Sequence, residues 1–215
     1  MAPKPLAVLM GDIVDSEGVM DRRALHARFN HAIEARNTRA QPAPASPLTI
    51  TLGDEFQGLT HTLRQAAELA RALRMDLLAG GIECRFVIGQ VRLETEVNPD
   101  RAWNMMGEGL GRARDRLNEK RAGRAYRFSL LGDDVTEALL EALGASLSTF
   151  ETGWTARQRE VIAAHMDGAE ADAIAAQDGV SRHSIYKVRA AGHYEPYRLG
   201  WSAVMTALDA QDAAA

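Results

Sequence analysis

The chain has 215 residues, 46% hydrophobic and 25% charged, with a formal net charge of −4; that excludes disorder by composition and allows one large domain, or a medium one and a small one. Its single cysteine, Cys84, excludes an internal disulfide framework and suits a reducing cytoplasm. No apolar run is long enough to span a bilayer, the first residues lack a signal-peptide pattern, and the acidic balance means that contact with nucleic acid must come from a local patch.

In chain order, residues 6–10 are an apolar run ended by Gly11-Asp12, the pattern of a buried strand. Asp21 can cap a helix in which Leu25, Phe29 and Ile33 recur at helical spacing, and the proline-rich stretch 41–47 cannot continue it. Residues 48–52 read as a strand, Gly53-Asp54 as a turn and 55–59 as the returning strand of a hairpin. A helix over 63–78 places Ala66, Ala70, Leu73 and Leu77 on one face, and 83–93 is a strand holding Cys84 as a buried, inert thiol. A helix over 107–121, a strand over 126–130 and a helix over 133–143 closed by Gly144 follow. The order β-α-β-β-α-β-α-β predicts an α+β domain over 1–147, ferredoxin-like, with a mostly antiparallel sheet and one added strand. The small, polar residues 145–153 read as a linker to a small all-α domain over 148–215, whose Ala-rich end is expected to fray.

Two motifs in the first domain put carboxylates beside apolar strands: Gly11-Asp12-Ile13-Val14-Asp15-Ser16 and Gly53-Asp54-Glu55-Phe56-Gln57. If the strands are neighbours, Asp12 and Asp54 converge on one sheet edge, with Glu55 pointing to the opposite face. Converging carboxylates suit Mg²⁺ or Mn²⁺, which take hard oxygen ligands. The competing reading is ordinary Gly-Asp turn chemistry.

These residues resemble the palm domain of class III nucleotidyl cyclases and GGDEF-type diguanylate cyclases. The segment Met106-Gly-Glu-Gly-Leu-Gly-Arg-Ala-Arg-Asp-Arg-Leu117 stands where the cyclase pattern has a glycine opening an Ala/Arg-rich helix. Gly-Asp-Ile-Val-x-Ser, Gly-Asp-Glu-Phe-Gln and the C-terminal array described next together resemble the SatD family over nearly the whole chain. The cyclase resemblance implies a metal at Asp12 and Asp54 and nucleotide contacts from Ser16, Gly107, Gly109, Arg112 and Arg116. It also implies an Asn and, four residues later, an Arg that steady the transferring phosphate. Counted from Gly107, those positions hold Gly111 and Asp115, and Arg112 and Arg116 reproduce the spacing only with an insertion. An acid near a developing negative charge opposes catalysis, so cyclase turnover is not expected. The glycines of 107–111 could accept a phosphate at a helix N-terminus or simply let helix and sheet pack closely.

In the C-terminal part, Thr155 and Gln158 form a capping-box pattern for a helix reaching Met166. A second helix covers 170–177, Asp178-Gly179 turns, and Ser181 caps a third helix over 182–190. Ile174, Val180, Ile185 and Val188 are the expected shared core of a helix-turn-helix, with Ala175 where two helices approach. The array resembles the region-four type helix-turn-helix of sigma factors. Ser181, Arg182, His183, Ser184, Tyr186, Lys187 and Arg189 are then candidates for contact with duplex DNA. A last helix over 194–208 carries Tyr197, Trp201, Val204 and Leu208 on one stripe; that stripe either packs within the chain or forms a homodimer contact. The expectation is a cytoplasmic, DNA-binding transcriptional regulator whose palm senses a nucleotide or metal–nucleotide ligand, with no membrane partner. The alternatives are a metal-dependent nucleotidyl-transfer enzyme and a protein-interaction adaptor.

Overall fold

The computed structural model of the chain describes residues 4–18, 20–119 and 124–214. Its first half follows the expected order: β1 (Leu6–Ile13), a 3-10 turn (Ser16–Gly18), α1 (Arg22–Arg39), β2 (Ser46–Leu52), β3 (Glu55–Thr60), α2 (Leu63–Ala79) and β4 (Cys84–Leu93). Asp21 caps α1 by accepting from Ala24 N, and Thr62 caps α2 by accepting from Gln65 N, so both helices begin where a short polar side chain can satisfy a free N–H. The strands pair antiparallel in the order β2-β3-β1-β4, which is the ferredoxin-like order for a β-α-β-β-α-β chain. After β4 come β5 (Gly107–Glu108), α3 (Leu110–Asn118) and β6 (Tyr126–Ser129). β6 lies parallel to β4, and β5 pairs with the end of β4.

Alternation along the strands divides the sheet into two apolar faces. Ala7, Leu9, Ile13, Phe56, Phe86 and Ile88 share one core with α1 and α2. Val8, Met10, Leu59, Val87 and Val91 face Ala113 and Leu117 of α3.

The residues expected to form a helix from 107 divide between a strand and a shorter helix. Gly107 pairs with Leu93, Gly109 takes φ 93° ahead of α3, and a Cβ at either would meet a β4 carbonyl oxygen at 2.2–2.3 Å. These glycines therefore serve close packing on β4, and the expected helix end at 121 lies outside the described residues.

The expected linker is helical. α4 (Asp134–Gly153) runs through 145–153, and residues 147–148 fall inside it. Gly144 does not end the helix; a Cβ there would sit 2.8 Å from Tyr126 O, so this glycine lets α4 lie against β6. Then come α5 (Ala156–Met166), α6 (Ala171–Asp178), α7 (Arg182–Ala191) and α8 (Tyr194–Ala214). α8 runs beyond 208 and is not frayed there: Asp212 accepts from Leu63 N at 2.9 Å and Arg64 N at 3.2 Å, capping α2. Tyr197, Trp201, Val204 and Leu208 are buried in the same core as the α1–α2 face of the sheet. The stripe is thus internal and unavailable as a homodimer contact.

α5, α6 and α7 enclose a separate small core of Val161, Ala171, Ile174, Ala175 and Ile185, with Val188 packed against it. Val180, expected in that core, is 42% exposed because it follows the Gly179 turn rather than lying on a helix face. Trp154 Nε1 donates to Gly192 O at 2.7 Å, fastening the start of this unit to its end. Among the described residues, no helix is long and apolar enough to cross a membrane.

Candidate functional site

The sheet face under α3 carries the first group of charged residues. Asp12 alternates with Val8 and Met10, and its register partners are Glu55 on β3 and Arg85 on β4. Glu55 therefore shares Asp12's face, and it lies opposite the Asp54 carboxylate, as expected of the residue that follows it. Arg85 Nε donates to Asp12 Oδ1 at 2.9 Å and Arg85 Nη2 to Oδ2, so a buried carboxylate is met by a bidentate guanidinium. From α3, Arg114 reaches Glu55 Oε2 at 3.1 Å and Gln57 Oε1 at 3.0 Å. Beside them lies a cavity of about 200 Å³ whose walls include Val8, Met10, Leu59, Leu110 and Arg114.

Asp54 is placed elsewhere. Its carbonyl oxygen accepts from Ile13 N at 3.0 Å, so its backbone does lie beside the end of β1. Its carboxylate accepts from Ser16 Oγ at 2.6 Å and lines a pocket of about 240 Å³ with Ile13, Ser16, Arg22, Leu25 and His26, on the α1 side of the sheet. A cation shared by Asp12 and Asp54 needs both carboxylates on one side with lone pairs to give. Here one is bound at both oxygens by Arg85 and the other faces α1. The described residues also contain no group of three or more His, Cys, Asp or Glu that could hold a metal ion. The residues present do not fit Mg²⁺ or Mn²⁺ bridging this pair. The sequence showed both motifs but not the faces, because β1 extends through Asp12 instead of ending before it.

The remaining nucleotide candidates point into ion pairs. Arg112 donates to Leu130 O at 2.9 Å and to Glu137 Oε2 at 2.9 Å, and Arg116 donates to Glu137 Oε1. Glu137 is buried, so both guanidiniums balance a desolvated carboxylate on α4. Gly107 and Gly109 are packed on β4, as above.

The other candidate surface is α7. Gly179 takes a left-handed φ of 64°, which lets α6 turn sharply into α7. Ser181 caps α7 by accepting from Ser184 N at 3.2 Å, and the two hydroxyls lie 2.9 Å apart, so both are used within the cap. With Ile185 buried and Val188 on the core side, Arg182, His183, Tyr186 and Lys187 are exposed. Arg182 donates to Tyr186 Oη at 2.6 Å and pairs with Asp172 at 3.2 Å. Arg189 pairs with Glu195 at 3.0 Å and lies over the Tyr194 ring at 4.2 Å. α7 carries three cationic side chains and no carboxylate.

A ferredoxin-like palm closed by helices, carrying a three-helix unit with an exposed basic third helix, is the class of protein this architecture defines. The chain belongs to the SatD family, whose model matches residues 6–182. Solved structures similar to it include the guanylate cyclase domain of RhGC from Catenaria anguillulae in complex with GTP. That one is 18% identical over 58% of this chain and 78% of the other, with a TM-score of 0.43. A bacterial light-regulated adenylyl cyclase is 12% identical over 70% of this chain and 81% of that one, with a TM-score of 0.40. No curated protein compared with the chain matches it.

Proposed function

We propose that this SatD-family protein is a cytoplasmic transcriptional regulator that binds duplex DNA through α7. The observation that carries this reading is the make-up of that helix. Its inward side, Ile185 and Val188, is used by the α5–α6 core, while Arg182, His183, Tyr186 and Lys187 stand outside. Such a helix fits a major groove and combines phosphate contact with base-edge contact. Over 151–192 there are five Lys/Arg against six Asp/Glu, so the unit as a whole is not basic and the attraction is confined to this face. In this proposal α5–α7 read DNA, and the palm, closed by α4 and α8, forms the sensing domain. A nucleotide is the proposed ligand class, held at the Ser16–Asp54 pocket, where Arg22 supplies a cation and His26 a ring for hydrogen bonding or stacking.

Cyclase-like enzyme chemistry is less well supported. Gly111 and Asp115 occupy the positions a phosphate-steadying Asn and Arg would need, and Arg112 and Arg116 are engaged by Glu137.

The test is selection from random duplexes, followed by gel shift. Lys187→Ala is expected to weaken all sequences alike. His183→Ala is expected to relax preference at the base it meets by about 1–3 kcal/mol. If no sequence is enriched and the wild type leaves duplexes unshifted at low salt, the unit is a protein-interaction module.

A further inference from the structure

The chain as a whole carries −4, yet α1 holds five arginines against one glutamate, a net of +4 without its two histidines. Everything outside α1 therefore sums to −8 (−4 minus +4). Most arginines elsewhere are matched with carboxylates, as Arg85, Arg112, Arg114 and Arg127 are. On α1, Arg36 follows that pattern, pairing with Asp76 at 2.6 Å. Arg23, Arg28 and Arg39 are exposed and meet no carboxylate among the described residues.

Their position relates them to α7. Arg28 Nη1 donates to Gly80 O at 3.4 Å, and Arg159 Nη1, on α5, donates to Leu78 O at 3.1 Å. α1 and α5 thus meet the same C-terminal end of α2. Two residues before Arg159, Arg157 pairs at 2.6 Å with Asp178, which lies three residues before the cap of α7. Between α1 and that end of α2 runs a groove of about 540 Å³ whose walls include Arg28, His31 and Arg39.

We infer that the side of α1 carrying Arg28 and Arg39, which lines this groove, is a second DNA-contacting surface, holding the phosphate backbone beside the site that α7 reads. The inference rests on α7 binding duplex DNA. It differs in kind, since α1 neutralises phosphates without reading bases. Arg28 and Arg39 are 11 residues apart on α1, roughly 17 Å along its axis, so the two can meet different phosphates of one backbone.

The experiment uses the full chain and a mixed-sequence duplex of about 30 base pairs, followed by fluorescence anisotropy from about 50 to about 200 mM salt. The variants are Arg28→Gln/Arg39→Gln, whose exposed side chains can be replaced without opening the core, and Lys187→Ala. The α1 variant is expected to lower the slope of log affinity against log salt by about 0.9 for each phosphate it no longer neutralises. Its thermal melting and its ranking of selected sequences should match the wild type. A wild-type slope in the α1 variant, with Lys187→Ala weakened, overturns the role of α1 and leaves α7 standing. Wild-type protein that fails to bind at the lowest salt removes the reading of α7, and the role of α1 with it. Tighter binding to a single-stranded RNA of equal length overturns the assignment of the partner as duplex DNA.

Discussion

Glu151 is fully buried near the end of α4 and is surrounded by donors. Arg74 Nε reaches it at 2.6 Å, Tyr126 Oη at 2.9 Å and Tyr197 Oη at 2.7 Å. Burial pushes its carboxyl upward from the usual range, and the Arg74 guanidinium and the tyrosyl donors oppose that push. Four elements, α2, β6, α4 and α8, therefore depend on one carboxylate. Glu151→Gln leaves the buried Arg74 with only the exposed carboxylate of Glu83, 3.9 Å away, as counter-charge and is expected to destabilise the fold by about 3–5 kcal/mol, read from the urea midpoint. His165 on α5 titrates in the opposite sense. Burial, then the charge of Arg189, holds its imidazole below the ordinary range. The unfolded chain then binds that proton more readily than the folded one. The stability it contributes is in place above about pH 6.5 and is lost as pH falls through the lowered folded value. His165→Gln should flatten that acid-side fall in denaturation midpoints measured between about pH 8 and about pH 5.

Glycines decide whether two of the elements can reach their places. Gly109 combines φ 93° with a Cβ position 2.3 Å from Gln90 O, whereas a Cβ at Gly111 meets nothing within 4 Å. Gly109→Ala is expected to lower the melting temperature, with about 1–2 kcal/mol from backbone strain alone. Gly111→Ala, inside α3, is expected to raise it by the equivalent of about 0.5–1 kcal/mol. If both variants melt alike, close packing of the β5–α3 turn on β4 is not what these glycines provide. The same residues show where sequence reading reaches its limit. Strands, caps and the α5–α7 array were legible, because alternation, Asp21, Thr155 and Ser181 act over three or four residues. Gly144 read as a helix end, yet its reason lies 18 residues back, at Tyr126 O, where no local pattern could reveal it. The Asp12 and Asp54 motifs were legible too. Their separation onto different sides was not, since that depends on how far β1 runs and on Arg85, 73 residues away, taking the Asp12 carboxylate. Val180 failed as a core residue for a similar reason: hydrophobicity marked it, but only the left-handed Gly179 sets where it faces.

Across the whole molecule, a chain of aromatic contacts runs from Phe29 on α1 through Phe56, Phe86 and Tyr126 in the sheet to Trp201 and Tyr197 on α8, and on to Trp154. The three-helix unit is thus set between two helices, α4 and α8, that both belong to the palm's core. A chain stopped after residue 193 keeps every strand but loses Tyr197, Trp201, Val204 and Leu208 from that core. Removing several large buried side chains at once, at about 3–5 kcal/mol for a single Trp, exceeds what a domain of this size has in reserve. The truncated chain is expected to lose slow amide exchange in β1 and β4; persistent protection there would show that the palm stands without α8. The placement of α8 also bears on the order of events at the ribosome. Domains made early commonly fold while later ones are still being synthesised. Here the earliest-made strands have to wait, because the helix that closes their core is made after the three-helix unit. That unit has mostly local contacts and can close sooner. During translation the nascent palm carries Tyr126 without Trp201 against its ring, and that interval is when a chaperone would matter most to this chain.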